Sequence, residues 1–302
     1  MSWLDRQSFL GPQSDAILQN ATVGIVGLGG GGSHVAQQLA HVGIGSFVLI
    51  DPDEIEDTNL NRLVGGRFAD IDAKTAKVVI AERLIRGVLP DAAIRAIRAE
   101  WQTAGDALMT CDVIIGGLDS VRAKDELDAF CRRYLISYID MGMDVHGEAG
   151  RHLISGQIVL SSPGTPCLRC LHIVTEADLE AEGAAYGAAG GKPQVVWPNG
   201  VLASTAVGLV MQLLTPWHQA PMDAAYLEYD GNTGVISPSH RLKLAQKREC
   251  PHYQAEERGD PGFDIRKFER TAPKPNAAKA NEAAAKSSMP KWVRVLFGWL
   301  LR

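Results

Sequence analysis

Residues 22–33, Thr-Val-Gly-Ile-Val-Gly-Leu-Gly-Gly-Gly-Gly-Ser, leave this 302-residue chain the fewest folds to choose from. The apolar run before the glycines reads as a buried strand. The spacing of Val35, Leu39 and Val42 after Ser33 reads as a helix, and Ser46 to Asp51 as a second strand. Strand, glycine turn, helix and strand make one βαβ unit, with a right-handed crossover. Gly27, Gly29 and Gly32 fit G-x-G-x-x-G, which permits a tight turn and close approach of phosphate to a helix N-terminus. Asp51 ends the second strand, where a carboxylate binds ribose hydroxyls in nucleotide-binding units. Taken alone, these residues suit an NAD-dependent oxidoreductase.

The alternation continues, with a helix expected over 74–87, strands over 93–97 and 112–116, a helix over 125–134 and a strand over 136–141. The expected class is α/β, a Rossmann-like doubly wound, mostly parallel sheet. Residues 154–160 alternate as an antiparallel extension would, and 226–229 offer a further strand. The expected organisation is an N-terminal arm over 1–20, one domain over 21–254, and a linker over 255–290. That linker is rich in Ala, Pro, Lys and Glu and reads as flexible or partly helical. Residues 291–302 form a basic-aromatic terminal segment with Trp292, Trp299, Lys291 and Arg294, suited to a partner, an anionic membrane surface or its own domain.

Thirty Lys and Arg against 35 Asp and Glu give a net charge of −5, which argues against DNA binding. An anionic ligand must then be held by locally placed cations and backbone N–H groups. The N-terminus lacks the apolar stretch of a secretion signal, and no run approaches the length of a transmembrane segment. Five cysteines, an odd number, read as reduced thiols in a cytoplasmic protein.

After Asp51 come Asn59, Arg62 and Lys74. Hydride transfer needs a flat apolar site. Attack of a carboxylate on a phosphate brings two anions together and needs positive charge around the reacting atoms. Together with Arg6-Gln7, the Asp51-x-Asp53…Asn59-x-x-Arg62 segment, Leu118-Asp-Ser-Val-Arg122, Pro166-Cys-Leu-Arg-Cys170 and Asn199-Gly-Val-Leu-Ala-Ser204, this makes the chain resemble the ThiF/MoeB family. Members of that family share a fold with the adenylation domains of ubiquitin-activating enzymes, and the resemblance covers roughly residues 4 to 250. It implies ATP-dependent adenylation of the C-terminal carboxylate of a ubiquitin-like or sulfur-carrier protein with a Gly-ending tail. The acyl group would then pass to a conjugating enzyme, a sulfur donor or another thiol. It further implies that Gly27, Gly29, Gly30 and Gly32 line the nucleotide and that Asp51 binds ribose. Asn59, Arg62 and Lys74 would contact phosphates, with Lys77 as substitute for Lys74, and Asp119 would hold Mg²⁺. Arg6 would reach the site of a second protomer, implying a homodimer. The same fold allows adenylation of a small-molecule, peptide or tRNA-borne carboxylate as an alternative.

Cys167 and Cys170 form a C-x-x-C, which alone is a weak metal signal. The resemblance implies a second pair near the domain end. Here that segment is Cys250-Pro-His252, so a structural Cys3His zinc site is expected from Cys167, Cys170, Cys250 and His252. The crossover over 172–198 contains no cysteine to accept an acyl group, and its glycine-rich part, 186–197, reads either as a loop over an incoming tail or as plain surface.

Overall fold

A computed structural model describes residues 3–148, 150–184, 193–218, 224–246, 250–253 and 259. The segments expected over 255–290 and 291–302 lie outside the described residues apart from Gly259, as does most of the glycine-rich stretch after residue 184. The strands are β1 (Thr22–Val26), β2 (Ser46–Ile50), β3 (Ala93–Ile97), β4 (Val113–Gly116), β5 (Ser137–Glu148), β6 (Arg151–Ser161), β7 (Ala225–Asp230) and β8 (Val235–Pro238). The helices are α1 (Ser14–Asn20), α2 (Gly30–Val42), α3 (Phe68–Asp72), α4 (Lys77–Arg86), α5 (Gly105–Leu108), α6 (Val121–Arg133), α7 (Glu176–Ala184), α8 (Val196–Leu214) and α9 (His240–Ala245).

The strands form one sheet in the order β3-β2-β1-β4-β5-β6-β7-β8. The first five are parallel and the rest join antiparallel, so the expected class and its antiparallel extension are both present. Strand order reverses between β1 and β4, the switch point where a crevice opens beyond the carboxyl ends of parallel strands.

Both faces of the sheet are covered, which is why β1, β2 and β4 are runs of buried apolar residues and glycine after at most one polar residue. Val23, Ile25, Phe47, Leu49 and Ile115 pack beneath α2, α4 and α8, while Val26, Val48, Ile50, Ile114 and Tyr138 pack beneath α5 and α6. Helix α8 is long and apolar enough to cross a membrane by length and composition alone, yet it packs on α2, β5 and β6. It went unrecognised in the sequence because Pro198-Asn-Gly reads as a turn. Proline is tolerated in a first helical turn, where its missing N–H has no partner to lose. The β5–β6 hairpin also runs well past the expected ends, to Glu148 and Arg151.

A buried ion pair ties α6 to the cysteine loop. Arg132 Nε donates to Asp128 Oδ1 at 3.1 Å, and both side chains are almost wholly enclosed. Ser161 Oγ and the Leu168 N–H donate to the same carboxylate at 2.6 and 2.9 Å. The guanidinium also donates to the carbonyls of Thr165 and Pro166 at 3.0 Å each, and the Tyr253 ring lies 5.4 Å from it. Removing one partner of such a pair strands the other charge out of water. Asp128→Ala is therefore expected to lower unfolding stability by about 3–5 kcal/mol. Asp128→Ala combined with Arg132→Met is expected to lower it by less, and urea titration of the two variants checks the difference.

Candidate active site

A cleft of about 340 Å³ opens at the switch point between β1 and β4. Its floor is the turn after β1. The turn needs glycine at Gly27, which has φ +87° and where a Cβ would come within 2.5 Å of the Gly117 carbonyl oxygen. A Cβ at Gly32 would overlap the Gly27 carbonyl. These two glycines lie behind the cleft and close the turn, whereas Gly29, Gly30 and Gly31 face into it. The free N–H groups at the start of α2 are thus presented to the cavity, an arrangement that favours phosphate.

Asp51 is buried behind the same turn. Its carboxylate accepts from the Leu28 N–H at 2.6 Å and the Asp53 N–H at 2.9 Å. Burial pushes its carboxyl above the ordinary range, although Lys77 and the two N–H donors pull the other way. In this structure it braces the glycine turn rather than standing on the cleft wall.

Asn59 and Arg62 enter the cleft from the segment after β2, and Asp119 enters from the turn after β4. Arg62 is steered by bonds from Nη1 to the Thr58 carbonyl at 2.5 Å and to Asn61 Oδ1 at 3.2 Å. Lys74 is not in the cleft. It sits in a left-handed turn with φ +49° and lines a separate hollow with Glu54, Asp57 and Arg98. Helix α4 begins at Lys77 rather than at residue 74, because Ala76 bridges to Glu54 before the helix starts. The lysine in the cleft is Lys77, whose Nζ lies 2.7 Å from Asp53 and 3.9 Å from Asp51. Arg6 is exposed on the short 3-10 helix Asp5–Leu10, away from the cleft of its own chain.

The far arm of the cleft belongs to α6 and the β5–β6 hairpin. Lys124, almost fully buried, reaches Asp140 at 3.0 Å and the Met141 carbonyl at 3.3 Å, and the Tyr138 hydroxyl donates to the same aspartate. Met141, Gly142, Met143, Asp144, Gln157 and Asn199 complete this arm. Glu182 of α7 accepts from the Val121 and Arg122 N–H groups at 3.1 and 2.9 Å, and Gln194 donates to Asp119 at 3.1 Å.

Away from the cleft, Cys167, Cys170, Cys250 and His252 bring four donor atoms within 4.8 Å of one another. Cys167 Sγ lies 3.5 Å from Cys170 Sγ, 3.6 Å from Cys250 Sγ and 3.3 Å from His252 Nδ1. A tetrahedron with zinc–sulfur bonds near 2.3 Å has edges of about 3.7 Å, so this cluster fits zinc.

A model of the ThiF family matches residues 4–252. The chain belongs to the ThiF family. Among its curated relatives, SAMP-activating enzyme E1 of Haloferax volcanii is 31% identical over 164 residues, covering 54% of this chain and 57% of that protein. Ubiquitin-like modifier-activating enzyme 5 of Drosophila persimilis is 28% identical over 171 residues, covering 51% and 41%. tRNA threonylcarbamoyladenosine dehydratase of Haemophilus influenzae is 32% identical over 139 residues, covering 43% and 51%. The chain spans about half the length of these relatives. The crystal structure of E. coli MccB with ATP shares the fold, with a TM-score of 0.65 at 20% identity, covering 83% of this chain and 73% of that one.

For this ThiF-family chain, sequence reasoning did not name Lys124, Gln157, Asn199 or Gln194 as site residues. Their only signal is position on elements whose reach into the cleft depends on tertiary packing. Two outcomes are expected. Lys77→Ala should weaken ATP binding at least about tenfold, as loss of a charge-assisted contact does, while Lys74→Ala leaves it unchanged in calorimetric titration. The purified chain should carry one zinc by elemental analysis, and His252→Ala should lose it together with several degrees of Tm.

Proposed function

We propose that the chain adenylates the C-terminal carboxylate of a ubiquitin-like or sulfur-carrier protein at the expense of ATP. The reading is carried by the convergence of Arg62, Lys77 and Asp119 on the N-terminus of α2 within one cleft. The substrate carboxylate oxygen attacks the α-phosphorus of ATP. A phosphorus–oxygen bond forms as the bond to the bridging oxygen breaks, giving acyl-adenylate and pyrophosphate. Arg62 and Lys77 hold the triphosphate and offset the charge that moves onto pyrophosphate. Asp119 offers a hard carboxylate oxygen for Mg²⁺, which when bound shares that task. Holding the two anions in line accounts for much of the acceleration.

The names of the relatives support this substrate class: two are activating enzymes for ubiquitin-like or SAMP proteins, and MccB is also described in complex with N-formylated MccA. The dehydratase relative supports a tRNA-borne carboxylate as the second reading. Among the described residues Arg6 has no hydrogen-bond or ion-pair partner, and in our reading it serves the cleft of a second protomer in a homodimer. The Cys3His cluster holds structural zinc.

Pyrophosphate exchange into ATP should appear with a carrier protein whose tail is intact and vanish when its terminal glycine is deleted. Arg62→Ala and Asp119→Ala should each lower that exchange at least about a hundredfold with unchanged Tm. Exchange retained in both variants would overturn the site assignment, and exchange only with tRNA would favour the second reading.

A further inference from the structure

The proposed reaction brings a second anion to the triphosphate, and Arg62 and Lys77 are both committed to the phosphates. Lys124 is the remaining Lys or Arg among the cleft's lining residues, and it stands on the far arm. Its ammonium carries three N–H groups. Both oxygens of Asp140 lie near it, at 3.0 and 3.1 Å, and the Met141 carbonyl lies at 3.3 Å. The two oxygens of one carboxylate are too close together to take two N–H groups set at tetrahedral angles. Asp140 therefore occupies one N–H, Met141 a second, and one is left over.

Gly142 brings a second donor to the same place. It pairs directly with Gln157 across the β5–β6 ladder, so both residues address one face of the hairpin. A Cβ on Gly142 would overlap Gln157 Nε2 and come within 3.2 Å of Lys124 Nζ. An amide nitrogen and an ammonium nitrogen thus flank a single point, and all three residues line the cleft. Among the described residues the Gln157 side chain has no hydrogen-bond partner. The neighbouring Met141 reaches the glycine turn, its Cε 3.3 Å from where a Cβ of Gly31 would stand. Building on the adenylation reading, we propose that Lys124 and Gln157 together hold the oxygen of the substrate carboxylate that does not attack phosphorus. Asp140 offsets the ammonium charge, so the pair acts at short range, as two donors fixed in direction before the substrate arrives. Holding one oxygen turns the other toward the nucleotide. When the new phosphorus–oxygen bond forms, the held oxygen becomes the acyl carbonyl of the adenylate and stays on the same donors, which keep their protons. The site reads the carboxyl group itself, so a protein tail and a tRNA-borne carboxylate are held alike.

The test compares the binding of two nucleotides to the full chain by calorimetry. One is AMP; the other is glycylsulfamoyl-adenosine, an unreactive mimic of an acyl-adenylate that keeps the acyl carbonyl. Gln157→Met preserves side-chain length and deletes the amide donor. It should weaken the glycyl mimic about tenfold and leave AMP unchanged. Lys124→Ala alone would strand the buried Asp140 charge, so the second variant is Lys124→Met with Asp140→Asn, which removes donor and charge together. It should show the same selective loss. In pyrophosphate exchange with an intact carrier, both variants should raise KM for the carrier about tenfold with KM for ATP unchanged. Equal weakening of both nucleotides, or full affinity for the mimic in both variants, would overturn the two-donor site alone. So would a wild type that binds the mimic no more tightly than AMP. Absence of exchange by the wild type with every carrier and with tRNA would overturn the adenylation reading beneath it, and that result needs no variant.

Discussion

The close approach of three backbones at the switch point is the constraint on which the rest of the molecule depends. Gly27 donates its N–H to the Ile50 carbonyl at 2.9 Å, and Gly117 donates to the Val26 carbonyl at 2.8 Å, so the ends of β1, β2 and β4 are locked together at one height. The first turn of α2 then passes so near that Gly32 has no room for a side chain. Asp51 closes the arrangement by taking the Leu28 N–H into a buried carboxylate. A side chain larger than hydrogen at Gly27 or Gly32 would push α2 off the sheet. The N–H groups of Gly29–Gly31, the Arg62 segment and the Asp119 turn would then no longer meet. Binding geometry and fold are at this point the same interaction.

Helix α6 extends that coupling to the opposite end of the domain. Its first turn is capped by Ser120, whose Oγ accepts from the Ala123 N–H at 3.1 Å, and by the Glu182 carboxylate of α7. Its second turn sends Lys124 into the cleft, and its last two turns carry Asp128 and Arg132 into the loop that holds Cys167 and Cys170. One rigid element thus links the cleft to the Cys3His cluster. Loss of the cluster would free residues 165–170 and, through Arg132, the lower half of α6.

Much of this was legible in the amino-acid order where the controlling physics is local. The βαβ unit, the parallel strands and the acidic residue after β2 follow from apolar runs and glycines a few residues apart. Arg62 and Asp119 both line the cleft; the need for positive charge at a phosphate points to Arg62, and the family resemblance alone points to Asp119. Lys74 shows where local reasoning ends. Two lysines lie three residues apart, and an isolated bridge between Ala76 and Glu54 decides which of them begins the helix and faces the cleft. The Pro198-Asn-Gly start of α8 was opaque for the opposite reason, since turn-forming residues sit in a helical first turn made stable by packing. Cys250 and His252 were readable as ligands only by resemblance, because 80 residues separate them from Cys170 and spacing over that distance carries no geometric information.

The distribution of sulfur bears on what could follow the adenylation proposed above. Cys111 is buried beneath β1 and β4, where burial and the nearby Asp112 charge push its thiol up to about 12. Cys131 lies wholly inside the α6 face of the core, and burial holds its thiol well above the ordinary range. A nucleophilic cysteine needs a depressed pKa and access to its electrophile, and these two have neither. The other three thiols converge with His252, and if zinc binds them their lone pairs are committed to the metal. In the proposed function, an acyl-adenylate formed in the cleft would find no thiol of this chain, among the described residues, poised to receive it. In the proposed function, a thiol or amine from another molecule is the acceptor that this arrangement of sulfur leaves open.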